Sequence, residues 1–153
     1  MAARRPVGSD SSDSRNCIRC SIDAVMNAFT EPWLARFRER VNADPEMAVI
    51  GDWFSTAFSV SCGDRRCIVR FEKGKLVQAV VSPRIDVPCA FGFRASEEIW
   101  SKFLSPIPEP LYHDFFAMLM RVPGFVLEGD TLVAMQNARA LHRAMNVMRT
   151  LGL

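Results

Sequence analysis

Phe125-Val-Leu-Glu-Gly-Asp130 leads into a long amphipathic run that ends near Met148, and this stretch decides the fold. The first six residues are typical of a short strand that ends at the Gly129-Asp130 turn, and Asp130 is a suitable N-cap for a helix. Beyond Asp130 the apolar residues recur every three or four positions, which predicts one helix of roughly five turns with a single apolar face. The members of that face are Leu132, Met135, Ala138, Leu141, Met145 and Met148.

A strand that leads directly into such an apolar helix needs a sheet or a cavity to cover. Methionine is frequent between Met118 and Met148, and its flexible thioether side chain adapts well to irregular apolar shapes. The pattern therefore predicts that this helix covers a hydrophobic pocket whose walls and floor come from the rest of the chain.

The composition fits one ordinary globular domain. The chain has 153 residues, 49% of them apolar, which suffices to bury a core without disulfides or metals. Its net charge of +2 lacks the basic excess of a nucleic-acid-binding protein, so no nucleic-acid partner is expected. Residues 1–20 are poor in large apolar side chains and predict a disordered or loosely attached tail, followed by a domain from 21 to 153.

The sequence predicts a cytoplasmic protein. No secretory signal is visible, because Arg4 and Arg5 are followed by Pro-Val-Gly-Ser-Asp instead of an apolar segment. No apolar run approaches the roughly eighteen residues of a membrane-spanning helix. The five cysteines are an odd number and are most simply explained as reduced thiols.

Two pairs of cysteines are close in sequence. Cys17 and Cys20 have the spacing of half a zinc site or of a redox motif, but no second Cys or His pair lies at a matching distance. Cys62 and Cys67 flank a predicted hairpin turn, where a disulfide can form if the two residues are directly opposite. No metal is expected, and the role of both pairs is left open.

The N-terminal half begins with a predicted helix at Thr30-Glu31-Pro32, where a hydroxyl, an acid and a proline suit the first turn. Asn42-Ala43-Asp44-Pro45 ends it, because the residue before a proline is pushed out of the helical region. The spacing from Ile18 to Phe29 predicts a shorter helix before it. The apolar face of the main helix consists of Trp33, Leu34, Phe37 and Val41.

The middle of the chain alternates apolar and polar residues, as strands do. Between Phe54 and Val81 this pattern predicts three antiparallel strands with turns at Gly63-Asp64-Arg65 and Glu72-Lys73-Gly74-Lys75. Cys89 to Arg94 is predicted as a fourth strand, with Cys89, Phe91 and Phe93 on one face.

Two further helices precede the last strand. Ser96 is the predicted N-cap of the first, and Leu111 to Arg121 forms the second, with a broad apolar face. The order of elements predicts an α+β fold, in which about five helices cover one face of a five-stranded, mostly antiparallel sheet. The other face is expected to be polar and wet, with Arg66, Arg70, Glu72 and the strand serines.

The chain resembles the sterol carrier protein 2 (SCP2) family, in particular its bacterial single-domain members, over roughly residues 30 to 150. The resemblance implies a sheet covered by helices around an apolar tunnel that holds sterols, fatty acyl chains or similar lipids. Peroxisomal members end in a tripeptide such as Ser-Lys-Leu, whereas this chain ends in Leu151-Gly152-Leu153, so no peroxisomal address is implied. The stretches that carry the likeness are Trp33 to Glu46, the hairpins at 63–65 and 72–75, Ser96 to Trp100, Leu111 to Asp114, and Phe125 to Asp130, extended by Asn137 to Leu141.

Large apolar side chains at alternate strand positions and on helix faces are the candidate pocket lining. A cavity wall needs such surfaces with few polar interruptions, although any single member could simply fill a core. The candidates are Phe54, Phe58, Phe71, Phe91, Phe93, Trp100, Phe103, Phe115, Phe116, Leu119, Met135, Leu141 and Met145.

The sequence thus favours a carrier of a sterol, fatty acid or fatty acyl derivative that is delivered to an enzyme or a membrane. One alternative is a cofactor-free enzyme that uses His113 and Asp114 as acid and base on a hydrophobic metabolite; no nucleophile or glycine-rich phosphate loop accompanies them. Another is an accessory domain whose methionine-lined groove takes a partner helix. No cofactor and no catalytic residue is assigned.

Overall fold

A computed structural model describes Val25, residues 27–84 and residues 87–151. The predicted tail, Cys17, Cys20 and most of the predicted leading helix lie outside these residues. Within the described part, no helix is long and apolar enough to cross a bilayer. The helices are α1 (Glu31–Asn42), α2 (Pro45–Ile50), α3 (Glu97–Leu104), α4 (Phe115–Arg121), α5 (Thr131–Gln136) and α6 (Ala138–Thr150), and the strands are β1 (Thr56–Cys62), β2 (Arg65–Glu72), β3 (Lys75–Val81), β4 (Phe91–Ala95) and β5 (Val126–Gly129).

The five strands form one sheet in the order β3-β2-β1-β4-β5. Three neighbouring pairs are antiparallel, and β1 and β4 are parallel. Phe58 of β1 lies opposite both Val69 of β2 and Phe91 of β4, which places the three side chains in one row across the inner face. The predicted α+β class and the five-stranded, mostly antiparallel sheet are confirmed.

Helix α1 carries the apolar face that its sequence predicts, and all four of its members are buried. The chain then turns at Asp44 and enters the short helix α2, which the sequence did not indicate. The Asp44 carboxylate accepts a hydrogen bond from the Met47 backbone N–H at 2.7 Å, and Pro45 occupies the first turn. The same Asp-Pro pair therefore ends one helix and begins the next.

The single long helix predicted after β5 is wrong, because the chain breaks at Asn137 into α5 and α6. Asp130 is the N-cap, as predicted, and accepts from the Val133 N–H at 3.0 Å. The Asn137 side-chain amide donates to the Val133 carbonyl at 2.8 Å, and this local bond competes with continued helix. Leu132 and Met135, which were predicted to lie on the apolar face of the single helix, are 65% and 40% exposed.

The helix predicted to begin at Leu111 instead begins at Phe115. Asp114 accepts from the Phe116 N–H at 2.8 Å and is the true N-cap, while Leu111 has a positive φ of 79°. Part of the predicted apolar face is therefore exposed to solvent, and Met120 is 81% exposed. Asp114 lies three residues after Leu111, and the apolar spacing continues through this turn, so the pattern does not reveal the cap.

The outer face of the sheet is less wet than predicted, because Ser59 and Ile68 on that face are buried. Part of the connection between β3 and β4 lies against this face. Arg66, on the same face, donates a hydrogen bond to the Cys89 thiol at 3.5 Å. Cys89 therefore belongs to this connection and not to the fourth strand as predicted.

Candidate functional site

Aromatic rings line the space between the inner face of the sheet and the helices. Phe58 stacks on Phe91 with ring centroids 5.4 Å apart, and Phe93 meets Phe115 edge to face at 5.5 Å. Further contacts join Phe54, Phe71, Phe125, Trp100 and Phe103 to the same group. We call this continuous set of rings the aromatic surface.

The structure brings twelve of the thirteen candidate pocket residues to this surface or to the helices packed on it. Phe116 and Leu119 are partly buried, and Met135 is exposed on α5. Whether the set lines a space for a guest stays a prediction. The fully buried members are Phe54, Phe58, Phe71, Phe91, Phe93, Trp100, Phe103, Phe115, Leu141 and Met145.

Helix α6 separates this interior from a surface cleft. On its inner side Leu141, Met145 and Met148 are buried. Its other side presents polar residues three or four positions apart, so they form one stripe. With parts of α2 and α4 this stripe encloses an open cleft of about 550 Å³, lined by Glu46, Asp114, Phe116, Ala138, Arg139, His142, Arg143 and Asn146.

Phe116 joins the cleft to the aromatic surface. It lines the cleft and stacks on Phe115, with centroids 4.2 Å apart. Phe115 is buried and contacts Phe93 of the sheet. The polar cleft is therefore in contact with the apolar interior through two stacked rings.

Comparison with solved structures shows which known fold this arrangement of sheet and helices matches. The chain superposes on the crystal structure of sterol carrier protein 2 with a TM-score of 0.66 at 16% identity, over 80% of this chain and 98% of that one. The chain has the SCP2 fold. It is also similar to the solution structure of a conserved hypothetical protein from Thermus thermophilus that was suggested to be a sterol carrier protein (TM-score 0.66, 18% identity, 83% of this chain and 91% of that one). No family model and no curated protein sequence matches the chain.

In this SCP2 fold an ion-pair cluster fixes one wall of the cleft. Arg143 donates from Nε to Asp44 at 2.9 Å and from Nη1 to Glu46 at 2.9 Å. The hydrogen bond from Arg143 lowers the pKa of the Asp44 carboxyl below its ordinary value, and the same bond raises the pKa of Arg143. The cluster thereby ties α2 to α6, although their sequences lie 99 residues apart.

The imidazole that faces Asp114 is His142, not the adjacent His113. His142 Nδ1 lies 3.6 Å from Asp114 Oδ1, and both residues line the cleft. The His113 carbonyl instead accepts a hydrogen bond from Arg149 at 3.0 Å. Sequence analysis assigned no role to His142, although its spacing from Arg139 and Asn146 on one helix face was a usable signal.

The two cysteines of the first hairpin, Cys62 and Cys67, do not lie directly opposite each other, which was the condition for a disulfide. Cys67 lies opposite Val60 and Cys62 opposite Arg65, so the two cysteines are diagonal neighbours, and both are free thiols. Burial raises the pKa of Cys62 to about 11 and that of Cys67 to about 12, which keeps both thiols protonated and unreactive. No cluster of three or more metal-ligand side chains occurs within the described ranges.

Proposed function

We propose that this protein binds and carries a hydrophobic small molecule, such as a sterol, a fatty acid or a fatty acyl derivative, in an apolar tunnel beneath helix α6. The observation that carries the proposal is the aromatic surface, which continues from the sheet to an open cleft within an SCP2 fold. A guest enters through the cleft and displaces the flexible side chains above the rings.

The side chains of the interior suit this role. Met118, Met145 and Met148 are all buried against the aromatic surface, and unbranched thioethers change rotamer at lower cost than branched side chains. They can therefore repack around guests of different shape. This favours broad specificity over recognition of one lipid.

Burial of the guest's apolar surface is the main favourable contribution to the binding free energy. Apolar surface contributes about 25 cal/mol per Å², so a guest that buries about 300 Å² gains about 7.5 kcal/mol before association costs. Because association costs reduce this gain, binding is tighter for guests that bury more apolar surface and stays weak enough for release to an enzyme or a membrane.

A pair of matched variants tests where the guest binds. Met145 is buried on α6, whereas Met120 is exposed on α4, and each can be changed to phenylalanine. We expect Met145→Phe to reduce the affinity for a fluorescent fatty acyl probe at least about fivefold, because the larger ring fills the space that the guest needs. Met120→Phe should leave the affinity unchanged.

Titration of the probe followed by fluorescence gives both affinities, and urea unfolding gives the stability of each variant. A wild-type protein that binds no fatty acyl or sterol probe contradicts the proposal. Equal loss of affinity in the two variants would place the guest away from α6.

The second candidate is a cofactor-free enzyme acting on a hydrophobic metabolite, and the contact between His142 and Asp114 in the cleft favours it. The alternative predicted from the sequence used His113 and Asp114 as acid and base, so the two histidines provide a comparison. Turnover that is lost in His142→Gln and kept in His113→Gln, with probe binding intact in both, would support an enzyme that uses the His142–Asp114 contact. Turnover lost only in His113→Gln would support the pair predicted from the sequence.

A further inference from the structure

The indole N–H of Trp33 has no hydrogen-bond acceptor among the described residues. Trp33 is 2% exposed on α1, and within that part of the chain its Nε1 is the one buried side-chain nitrogen or oxygen without a partner. Nearly all buried donors in folded proteins are bonded, because a buried unpaired donor loses its hydrogen bonds to water without replacement. This donor therefore needs an acceptor that the described residues do not supply.

The indole N–H groups of the other two tryptophans find hydrogen-bond partners in the usual ways. Trp100 is fully buried, and its Nε1 donates to the Ser61 carbonyl at 2.9 Å. Trp53 is 93% exposed, so its indole is open to water. Trp33 is thus the one tryptophan whose donor meets neither an acceptor among the described residues nor solvent.

A series of ring contacts joins Trp33 to the aromatic surface. The ring centroids of Trp33 and Phe29 are 5.0 Å apart, and those of Phe29 and Trp100 are 5.3 Å apart. Trp100 in turn contacts Phe125, which stacks on Phe93. A guest that enters at the cleft and lies along these rings would extend its leading end towards Trp33.

The surroundings of the donor restrict the chemistry of that leading end. The rings that contact Trp33 are Phe29 and Phe37, both buried. An ionised carboxylate among such rings would lose its hydration for a single hydrogen bond, which is unfavourable by a wide margin. A hydroxyl or carbonyl oxygen gains the same bond at much lower cost.

We propose that the Trp33 indole N–H is the polar anchor for the guest and that it selects neutral amphiphiles with a hydroxyl or carbonyl oxygen at the buried end. This inference rests on the proposed function, since it concerns a guest in the interior. It narrows that function by separating alcohols, ketones and esters from ionised fatty acids.

Three guests of equal chain length test the anchor, namely dodecanol, dodecane and dodecanoate. Each displaces a fluorescent apolar probe from the wild type and from Trp33→Phe, which removes the donor and keeps an aromatic ring. We expect the ratio of dodecanol to dodecane affinity to fall by about two- to tenfold in Trp33→Phe, the value of one neutral hydrogen bond. Trp53→Phe is the matched control and should leave the ratio unchanged.

The outcomes separate the anchor from the carrier. If the wild type binds both dodecane and dodecanol but Trp33→Phe leaves the ratio of the two affinities unchanged, Trp33 is not the polar anchor. The proposed carrier function is not contradicted by that result. If neither guest displaces the probe, or the probe itself does not bind, the carrier fails and the anchor with it. Tighter binding of dodecanoate than of dodecanol overturns the choice of a neutral guest.

A second readout uses the wild-type protein, so that it holds even if Trp33→Phe does not fold. The three tryptophans give three indole N–H resonances, which Trp53→Phe and Trp100→Phe assign. We expect the Trp33 resonance to move downfield when dodecanol binds and to move much less with dodecane. Equal shifts with both guests would overturn the anchor.

Discussion

Asp44 combines two roles in one carboxylate, which is bonded to Arg143 of the cleft. It caps α2 through the Met47 N–H and receives two hydrogen bonds from Arg143, while only 9% of its side chain is exposed. Sequence analysis identified the end of α1 at Asp44-Pro45 but not the ion pair, because the partner lies 99 residues further along the chain. Local caps can be predicted from sequence, whereas such distant pairs depend on the packing of helices.

Substitution of Asp44 separates the two roles. Asp44→Asn keeps a capping side chain and loses the charge, and we expect it to lower the free energy of unfolding by about 1 to 2 kcal/mol at pH 7. Asp44→Ala should lose about 1 kcal/mol more, since the cap is lost as well. Urea unfolding of the three proteins measures both differences.

The pH dependence has a definite sign. Because Arg143 lowers the pKa of Asp44 below its ordinary 3.8, the stabilisation is fully present above that value and is lost as the pH falls through the folded-state pKa. The difference between wild type and Asp44→Asn should therefore be constant from pH 7 to 5 and shrink below pH 3.8. A difference that stays the same at the lowest pH at which both proteins fold would contradict this account.

At the scale of elements, α2 and the β2–β3 turn approach so closely that side chains cannot fit between them. A Cβ on Gly51 would lie 2.5 Å from the Gly74 Cα and 2.5 Å from the Met47 carbonyl oxygen. We expect Gly51→Ala to destabilise the fold by about 1 to 3 kcal/mol, because one of the two backbones must move. Thermal unfolding is a sufficient measurement.

Gly63→Ala is the matched control for that substitution. Gly63 has a left-handed φ of +57°, but its nearest neighbour is the flexible Glu97 side chain at 3.4 Å. Alanine there should cost about 1 kcal/mol, from backbone conformation alone. If Gly51→Ala proves no more costly than Gly63→Ala, the contact between helix and turn is looser than described.

Arg149 holds the connector at 105–114 against α6. Its guanidinium donates to the carbonyls of Phe103, Tyr112 and His113 at 2.9, 3.2 and 3.0 Å and lies 4.7 Å from the centre of the Phe103 ring. Lysine cannot reproduce this fork, so we expect Arg149→Lys to destabilise the fold by about 1 to 3 kcal/mol. Amide hydrogen exchange should become faster in the connector. Arg139→Lys, on the same helix, should change neither quantity.

The same scale shows where pattern reading succeeds and fails. Apolar periodicity predicted the face of α1 and the alternation in β1 and β2, because each follows from the burial of one face. It failed at Asn137 and Asp114, where a side-chain hydrogen bond to the backbone interrupts a helix without interrupting the apolar pattern. Such bonds depend on side-chain rotamers, and the spacing of apolar residues carries no information about rotamers.

At the scale of the whole molecule, the number of strands and the α+β class followed from the order of elements. The parallel pairing of β1 with β4 did not, since it depends on where the chain goes between β3 and β4, which no local pattern determines. The aromatic side chains of the candidate site were predicted from alternation, and the structure brings them into contact. The cleft was missed because its polar residues come from three helices that are distant in sequence.

A bound guest should also stabilise the whole chain. A ligand present at about one hundred times its dissociation constant raises the free energy of unfolding by about 2.7 kcal/mol when it binds the folded state alone. Dodecanol should therefore raise the midpoint of thermal unfolding in a concentration-dependent way. An unchanged midpoint at saturating probe displacement would indicate that the guest also binds the unfolded chain.

The most direct test of the central claim is native mass spectrometry of the purified protein after incubation with a mixture of fatty alcohols, fatty acids and sterols. The proposed function gives one-to-one adducts that disappear on organic extraction, with the extracted molecule identified by its mass. A spectrum of the bare chain alone, under conditions in which a known lipid carrier retains its guest, would contradict it.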